Sequence, residues 1–530
     1  MKKLCALFLC LACVAPFAAC SQPVEDTETN LIIEIYEGGY GTEGMKAIAD
    51  RFEEIYAEEG YTVSITSNSQ LVMNGAYQQL QLGTDSATDL YFVAGVEIPY
   101  IIGEGKYFVK NTDNDYALED ITDLLDEKVY GEDITLGKKM FPSSVEFNTQ
   151  TNGRVYSLNW AYGVTGFAYR RENFTEGGGE WQLPRTTKEL EELIPVIKEA
   201  EMYPFVFCGS KASYFDYAAL AWWRQFATDE EADNFWNCLA ENEEGELEES
   251  ADAFRSFARL QAYLNVDMCI YDNTNTHPDS MIFNNEEAQM ALWDDSNTTV
   301  FMPTGDFAEN EMNKLDITGD VGMMRIPVSS DVLYYSTGTY PNVQLHERFE
   351  TIKDEQTLRE VISVIDANGE CPADIDPDDF AELKKIRSFT TTEGVSHVGY
   401  IPSCANAKEV AKKFFLFMAS DEANQLYYDA CGCFLPFQTE NLDLGEDVTP
   451  FRQDILKMMD NVTFVSRFDS KNPLFYKTDL DFNLTEYYMD GVIGTTPESG
   501  DKMTGLEWFT KNADDVAENF SLYQSIVAAG

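Results

Sequence analysis

The chain has 530 residues, 44% of them hydrophobic and 13% aromatic, and it exceeds the length at which one hydrophobic core usually stops growing. Two lobes or domains are therefore expected, and disorder and collagen-like repeats are excluded. Lys and Arg total 37 against 92 Asp and Glu, a formal net charge of −55, which repels phosphate backbones and excludes nucleic acid as a partner.

The first twenty residues, MKKLCALFLCLACVAPFAAC, have the three parts of an export signal. Lys2 and Lys3 make the charged start, Leu4 to Phe17 the apolar run, and Ala18-Ala19 precede Cys20. The ending resembles a bacterial lipobox, which implies cleavage after residue 19 and lipidation of Cys20. Residues 20–30 then read as a polar tether, and no later segment has 18 uncharged apolar residues in a row. Without the signal and Cys20, seven cysteines remain (208, 238, 269, 371, 404, 431 and 433), an odd set that gives no disulfide framework.

Leu31–Tyr36 is a β-branched run that predicts a strand, followed by Glu37-Gly-Gly-Tyr-Gly-Thr42. Apolar spacing predicts a helix over 43–56, a strand over 62–66, a helix over about 73–82 and a buried strand over 89–93. Strand and helix alternate as in a parallel α/β sheet. The alternation resumes with a helix over 187–200, a strand over 203–207, and helices near 214–226 and 251–263. Trp222 and Trp223 lie within one of these helices, where core packing is the expected role for at least one. Eleven acids and no base between Thr228 and Asp252 read as a solvated face rather than a cation site. Residues 327–397 turn polar and partly helical (355–366 and 378–387), which reads as an insertion, and a long helix is predicted over 408–419.

Several segments, in order, resemble the bacterial extracellular solute-binding lipoproteins of carbohydrate-importing ABC systems (family 1). Gly153-Arg-Val-Tyr to Tyr169-Arg-Arg-Glu-Asn-Phe174 resembles the family's first crossover strand. Trp181-Gln-Leu-Pro-Arg-Thr-Thr187 resembles its helix start, and Tyr203–Phe207 the strand after it. Phe283-Asn-Asn-Glu-Glu-Ala-Gln-Met-Ala-Leu292, Gly322-Met-Met-Arg-Ile-Pro327 and Ile401-Pro-Ser-Cys to Phe415 resemble three later segments. The family's Asn-Gly-Ser/Pro-Trp contact loop is aligned with Trp293-Asp-Asp-Ser296, a departure from its pattern.

The resemblance implies an α/β, two-lobed periplasmic-binding-protein-like fold (type II) with a ligand cleft between lobes joined by crossover strands. Lobe 1 is assigned to residues 31–160 plus 328–405 and lobe 2 to 161–327 plus 406–530, with Gly163, Gly166 and Gly399 beside the crossovers. It implies an extracytoplasmic, lipid-anchored monomer that captures a mono- or oligosaccharide for ABC permease subunits, with no cofactor, no metal and no catalysis. Ligands in such lobes sit at the C-terminal ends of strands. That rule selects Glu37, Gly39 and Tyr40; Val96 and Glu97; Trp160 and Tyr162; Ser210, Tyr214 and Tyr217; and, by the loop alignment, Trp293, Asp294 and Asp295. Aromatic planes and carboxylates suit the C–H faces and hydroxyls of a sugar.

Two other readings stay open. The same fold could hold a peptide, polyamine or other cation against acidic walls. A glycoside hydrolase would need two facing carboxylates, and Asp294-Asp295 are adjacent and point apart. Asp374-Ile-Asp-Pro-Asp378 has calcium-loop spacing but lacks the Gly and Glu that an EF-hand needs; Asp376 or Asp378 is expected to cap the next helix.

Overall fold

Alternating burial along Asn30–Tyr36, with Leu31, Ile33 and Ile35 inside, is the local cause of the first sheet. The computed structural model describes residues 26–68, 80, 87–103, 117–210, 214–242, 244–270, 274–294, 298–392, 394–439, 442–445, 448–465, 471–478, 480 and 504–529. In chain order the strands are β1 (Asn30–Tyr36), β2 (Thr62–Asn68), β3 (Leu90–Ala94), β4 (Leu158–Asn159), β5 (Thr165–Arg170), β6 (Tyr203–Phe205), β7 (Leu239–Glu241), β8 (Leu247–Glu249), β9 (Thr299–Gly305), β10 (Val321–Met324), β11 (Tyr334–Thr337), β12 (Gln344–Glu347), β13 (Phe389–Thr391), β14 (His397–Tyr400) and β15 (Thr463–Val465). Of the helix expected over 73–82 only residue 80 is described, and the signal segment lies outside the described residues.

Lobe 1 is built on a sheet of order β2-β1-β3-β14-β4. β1 is parallel to β2 and β3, while β14 is antiparallel to β3 and pairs His397 with Ala94. The helix Glu43–Ile55 packs on it because Met45, Ile48, Ala49 and Phe52 fall on one face. Lobe 2 has a sheet of order β10-β5-β9-β6, with Thr165 opposite Gly305 at one end and Arg170 opposite Val321 at the other. Helices Thr187–Glu199, Phe215–Phe226 and Phe257–Ile270 contribute to its largest core cluster, in which Trp222 and Trp223 are both buried. Trp222 Nε1 donates to the Pro327 carbonyl at 2.9 Å.

Two stretches belong to the opposite lobe from the one the sequence suggested. Residues 328–391 are part of lobe 2: Leu358, Val361, Ile362, Leu383 and Ile386 share one core with Trp222 and Phe205. Residues 406–437, assigned from sequence to lobe 2, continue lobe 1 from β14: Phe414 packs edge-on against Phe52 at 5.3 Å and Phe415 against Phe92 at 6.2 Å. The buried Asp89 carboxylate ties the latter stretch down, accepting from the Ala407 N–H at 2.9 Å and the Ile32 N–H at 3.0 Å. The chain therefore returns to lobe 1 between β13 and β14, not before residue 328.

Among the described residues three stretches cross between lobes: β4 to β5, β13 to β14, and the one between Gln438, still bonded to lobe 1, and the lobe 2 helix Pro450–Met459. The first is tied to the lobe 1 stretch before the third through the Tyr162 N–H, which donates to the Phe434 carbonyl at 2.9 Å. Of the glycines expected beside the crossovers, Gly163 lies in the first, while Gly166 and Gly399 lie within β5 and β14. Asp376 caps the helix Pro377–Ser388 by accepting from the Asp378 N–H at 2.8 Å. Asp379 instead accepts from the Glu350 and Thr351 N–H groups at 3.0 and 2.6 Å, so the Asp-rich segment organises a helix start. Among the described residues no helix is long and apolar enough to cross a membrane.

Candidate functional site

The C-terminal ends of β1, β3, β9 and the β4–β5 crossover converge where the two lobes meet. Tyr40, in the loop after β1, is buried and makes edge-on contacts with Trp160 at 6.3 Å, Phe307 at 6.0 Å and His397 at 5.1 Å. On the lobe 2 side Phe307 meets Tyr214 at 6.0 Å, and Tyr214 stacks on Tyr217 at 5.0 Å. Trp160, Tyr40, Phe307, Tyr214 and Tyr217 thus form one aromatic row running from lobe 1 into lobe 2.

Polar contacts cross at the same place. The Tyr40 hydroxyl donates to Asp306 Oδ1 at 3.4 Å, and Asn310 Nδ2 donates to the Gly39 carbonyl at 2.8 Å. The Asp306 carboxyl rests on Gly163, where a β-carbon would stand 2.1 Å from Oδ1; the first crossover has no room for a side chain at this point. Asp306 Oδ2 is buried without a hydrogen-bond partner. Burial pushes the Asp306 carboxyl up to about 7, against the opposing pull of Arg452 and the Tyr40 hydroxyl.

Tyr162, one residue before Gly163, points to the other side of the crossover. It stacks on Phe141 at 4.7 Å and meets Phe464 edge-on at 5.2 Å. Burial raises its phenol to about 12. Phe464 in turn lines a cavity of about 600 Å³ that parts lobe 1 (Phe147) from lobe 2 (Trp223, Asp233). Tyr162 is therefore a hinge-side residue, where the sequence reading had placed it with the cleft.

The remaining expected residues divide. Glu37 is exposed at the end of β1. Glu97 is half-buried at the start of helix Glu97–Gly103, and its Oε2 lacks a partner. Val96 is buried in a cluster with Tyr91 and Tyr400 beneath the strand ends, so it presents no side chain to a solute. Ser210 is exposed, with its N–H donating to the Phe283 carbonyl at 3.1 Å. Asp295 and Cys20 lie outside the described residues.

Trp293 and Asp294 stand apart from this group. The helix Asn285–Trp293 begins near the aromatic row, where Asn285 Nδ2 donates to the Tyr214 hydroxyl at 2.7 Å. It ends at the opposite end of the two central strands of the lobe 2 sheet, where Arg170 Nη2 donates to the Leu292 carbonyl at 2.5 Å and Thr299 Oγ1 to that of Ala291 at 2.8 Å. Trp293 is 3% exposed and packs edge-on to Phe451 at 5.7 Å in a core with Ala168, Met302 and Met323. Asp294 follows as the exposed helix C-cap.

The loop alignment made from sequence was thus placed too early. Thr304-Gly305-Asp306-Phe307 is the segment that follows a strand into the inter-lobe region, with glycine and aromatic in the positions of Asn-Gly-Ser/Pro-Trp. Asp306, Phe307 and His397 were missed as site residues. The strand-end rule applied to Thr299–Gly305 would have found the first two; His397 carries no comparable local signal.

Comparison with known proteins returns the fold. No family model matches the chain, and no curated protein matches it in sequence. Solved structures do match: the solute-binding protein RafE in complex with raffinose has a TM-score of 0.58 at 15% identity, covering 92% of this chain and 99% of that one. Maltose-bound MalE3 of T. maritima has a TM-score of 0.56 at 17% identity, and a chitin oligosaccharide binding protein 0.57 at 16%, each with the same coverages. The chain therefore has the two-lobed α/β fold of solute-binding proteins.

Proposed function

We propose that the protein is an extracytoplasmic solute-binding protein that closes its two lobes on a carbohydrate and presents it to an ABC importer, without bond breaking. One observation carries the reading: an aromatic row with polar contacts bridges the lobes at the strand ends of a fold whose solved neighbours include a raffinose complex, a maltose-bound protein and a chitin oligosaccharide binding protein. Apolar ring planes cover sugar C–H faces, while Glu37 and Glu97 at the strand ends can accept from hydroxyls. Among the candidates, Tyr214 and Glu37 keep surface open to a solute, while Tyr40, Trp160 and Phe307 support them from beneath.

A panel of glycans, peptides and polyamines, screened by thermal shift with product analysis, tests this reading. Stabilisation by a glycan with no product is expected. Product release, or stabilisation by cationic solutes alone, would overturn it. Tyr214→Ala should then weaken binding by on the order of tenfold, the equivalent of about 1.4 kcal/mol.

Hinge closure is part of this reading, supported by the contacts Tyr40–Asp306 and Gly39–Asn310 between the lobes. The saturating glycan should lower the radius of gyration in small-angle scattering, because solute adds free energy only to the closed state. An unchanged radius at proven saturation would refute hinge closure.

Lipidation at Cys20 is the anchoring part of the reading, supported by Ala18-Ala19-Cys20 behind the apolar run. Cys20→Ala is expected to move the protein out of the membrane fraction or to leave an unprocessed precursor. Fractionation and migration identical to wild type would rule the anchor out.

A further inference from the structure

The seam between the lobes shuts over one carboxyl group. Asp306 follows β9 and belongs to lobe 2, yet part of its cover comes from outside that lobe. Its Oδ1 accepts from the Tyr40 hydroxyl of lobe 1 at 3.4 Å. It rests on Gly163 of the first crossover, where a β-carbon would stand 2.1 to 2.2 Å from all three atoms of the carboxyl group. The Asp306 N–H donates to the Val164 carbonyl at 3.1 Å, which holds the backbone to the same crossover. One residue on, Phe307 packs edge-on against the Tyr40 ring, and Asn310 reaches the Gly39 carbonyl, so this segment grips the loop after β1 on both sides. Asp306 is 1% exposed, and its Oδ2 has no hydrogen-bond partner. Arg452, the buried cation of helix Pro450–Met459, pairs at 3.5 Å with Glu309 instead.

We infer that Asp306 is a proton-binding site linked to lobe closure: closing takes one proton from solvent onto its carboxyl group, and opening returns it. The inference rests on the hinge closure proposed above. A carboxylate taken from water with one oxygen unpartnered is strongly disfavoured in its charged form. Parting the lobes withdraws Tyr40 and lets water reach Oδ2, so the open arrangement accepts the charge that the closed one refuses. The titratable and charged groups around Asp306 are Tyr40 from the loop after β1, with His397 behind its ring, Tyr427 and Cys433 from lobe 1, and Arg452 and Glu309 from lobe 2. Tyr427 keeps its proton, because burial raises its phenol well above the ordinary range. Arg452 remains a cation throughout and pulls the Asp306 carboxyl down only in part.

Burial, the largest cause, brings the carboxyl to about 7 with the lobes in contact, against an ordinary 3.8 in water. The closed arrangement therefore holds a proton that the open one has released between these values. Closure is most favoured below about pH 4, and the closed-to-open ratio falls by up to about tenfold per pH unit until about pH 7, where it levels.

Small-angle scattering of the solute-free full chain from about pH 4.5 to about pH 8, in salt high enough to screen the many surface carboxylates, tests this. Wild type is expected to expand as pH rises towards 7. Asp306→Asn, which cannot ionise, should stay compact, and the two radii should converge at the acid end. Asp306→Ser serves in the same way should the amide variant not fold. Radii that coincide at every pH, or a variant that expands as wild type does, would overturn the inference. No glycan is needed for this comparison, so its failure is distinct from failure of the carbohydrate reading. A radius that falls on glycan saturation in both proteins alike, with no difference in pH profile, would keep hinge closure and reject the proton site.

Discussion

Replacing Trp293 with alanine is expected to cost about 3–5 kcal/mol of stability while leaving solute affinity within about twofold of wild type. The indole is 3% exposed and packs on Phe451 among Ala168, Met302 and Met323, so its removal leaves a cavity that this core can only partly refill. For a lobe of about 250 residues that loss corresponds to a fall in melting temperature of roughly 6–20 °C. Calorimetry and glycan titration on the same sample decide the matter. A large affinity loss with near-normal melting would return Trp293 to the solute site, and would contradict its position a helix length away from Tyr214. Tyr214→Ala should show the converse pattern, weaker binding with little change in melting.

Asp306→Asn is expected to raise stability at neutral and alkaline pH and to flatten its pH dependence. The wild-type carboxyl is buried, with its folded value raised to about 7 from an ordinary 3.8. The folded protein therefore holds a proton that the unfolded chain has already released between these values. Its stabilising contribution is fully present below about pH 4 and is lost as pH rises through about 7. A shift of about three units at about 1.36 kcal/mol each sets an upper figure of about 4 kcal/mol. Arg452 offsets part of the burial cost, and Tyr40 donates to Oδ1, yet Oδ2 has no partner to hold an ionised charge. Denaturant unfolding measured from about pH 4 to pH 8 should show wild type losing stability while Asp306→Asn stays level over the steep part of that range. Parallel slopes for the two proteins would place the titration on another group.

The match between pattern and element explains where sequence reading succeeded. The helix expected over 355–366 is Glu355–Asp366, and that expected over 187–200 is Thr187–Glu199, because a 3.6-residue apolar repeat needs only its own neighbours to be recognised. Tyr40, Trp160, Tyr214 and Tyr217 were selected by the strand-end rule, and the structure brings them into one row. Trp293 failed for a specific reason. A short motif was aligned by residue type, and a helix with its following turn was taken for a strand-end loop.

Local order was thus written in the sequence: the length that calls for two lobes, the alternation of strand and helix, and the cap at Asp376. Each depends on interactions among residues close along the chain. Lobe membership depended instead on contacts such as Phe52 with Phe414 and Arg224 with Phe389, whose partners are far apart in sequence and leave no periodic trace. The same holds for the site. Asp306 was an ordinary acid among 92 until the fold laid it on Gly163 beneath Tyr40 and removed it from water. Burial and partner choice are properties of the packed chain, so only the tertiary structure decided which carboxylate would be unusual and which tryptophan would be core.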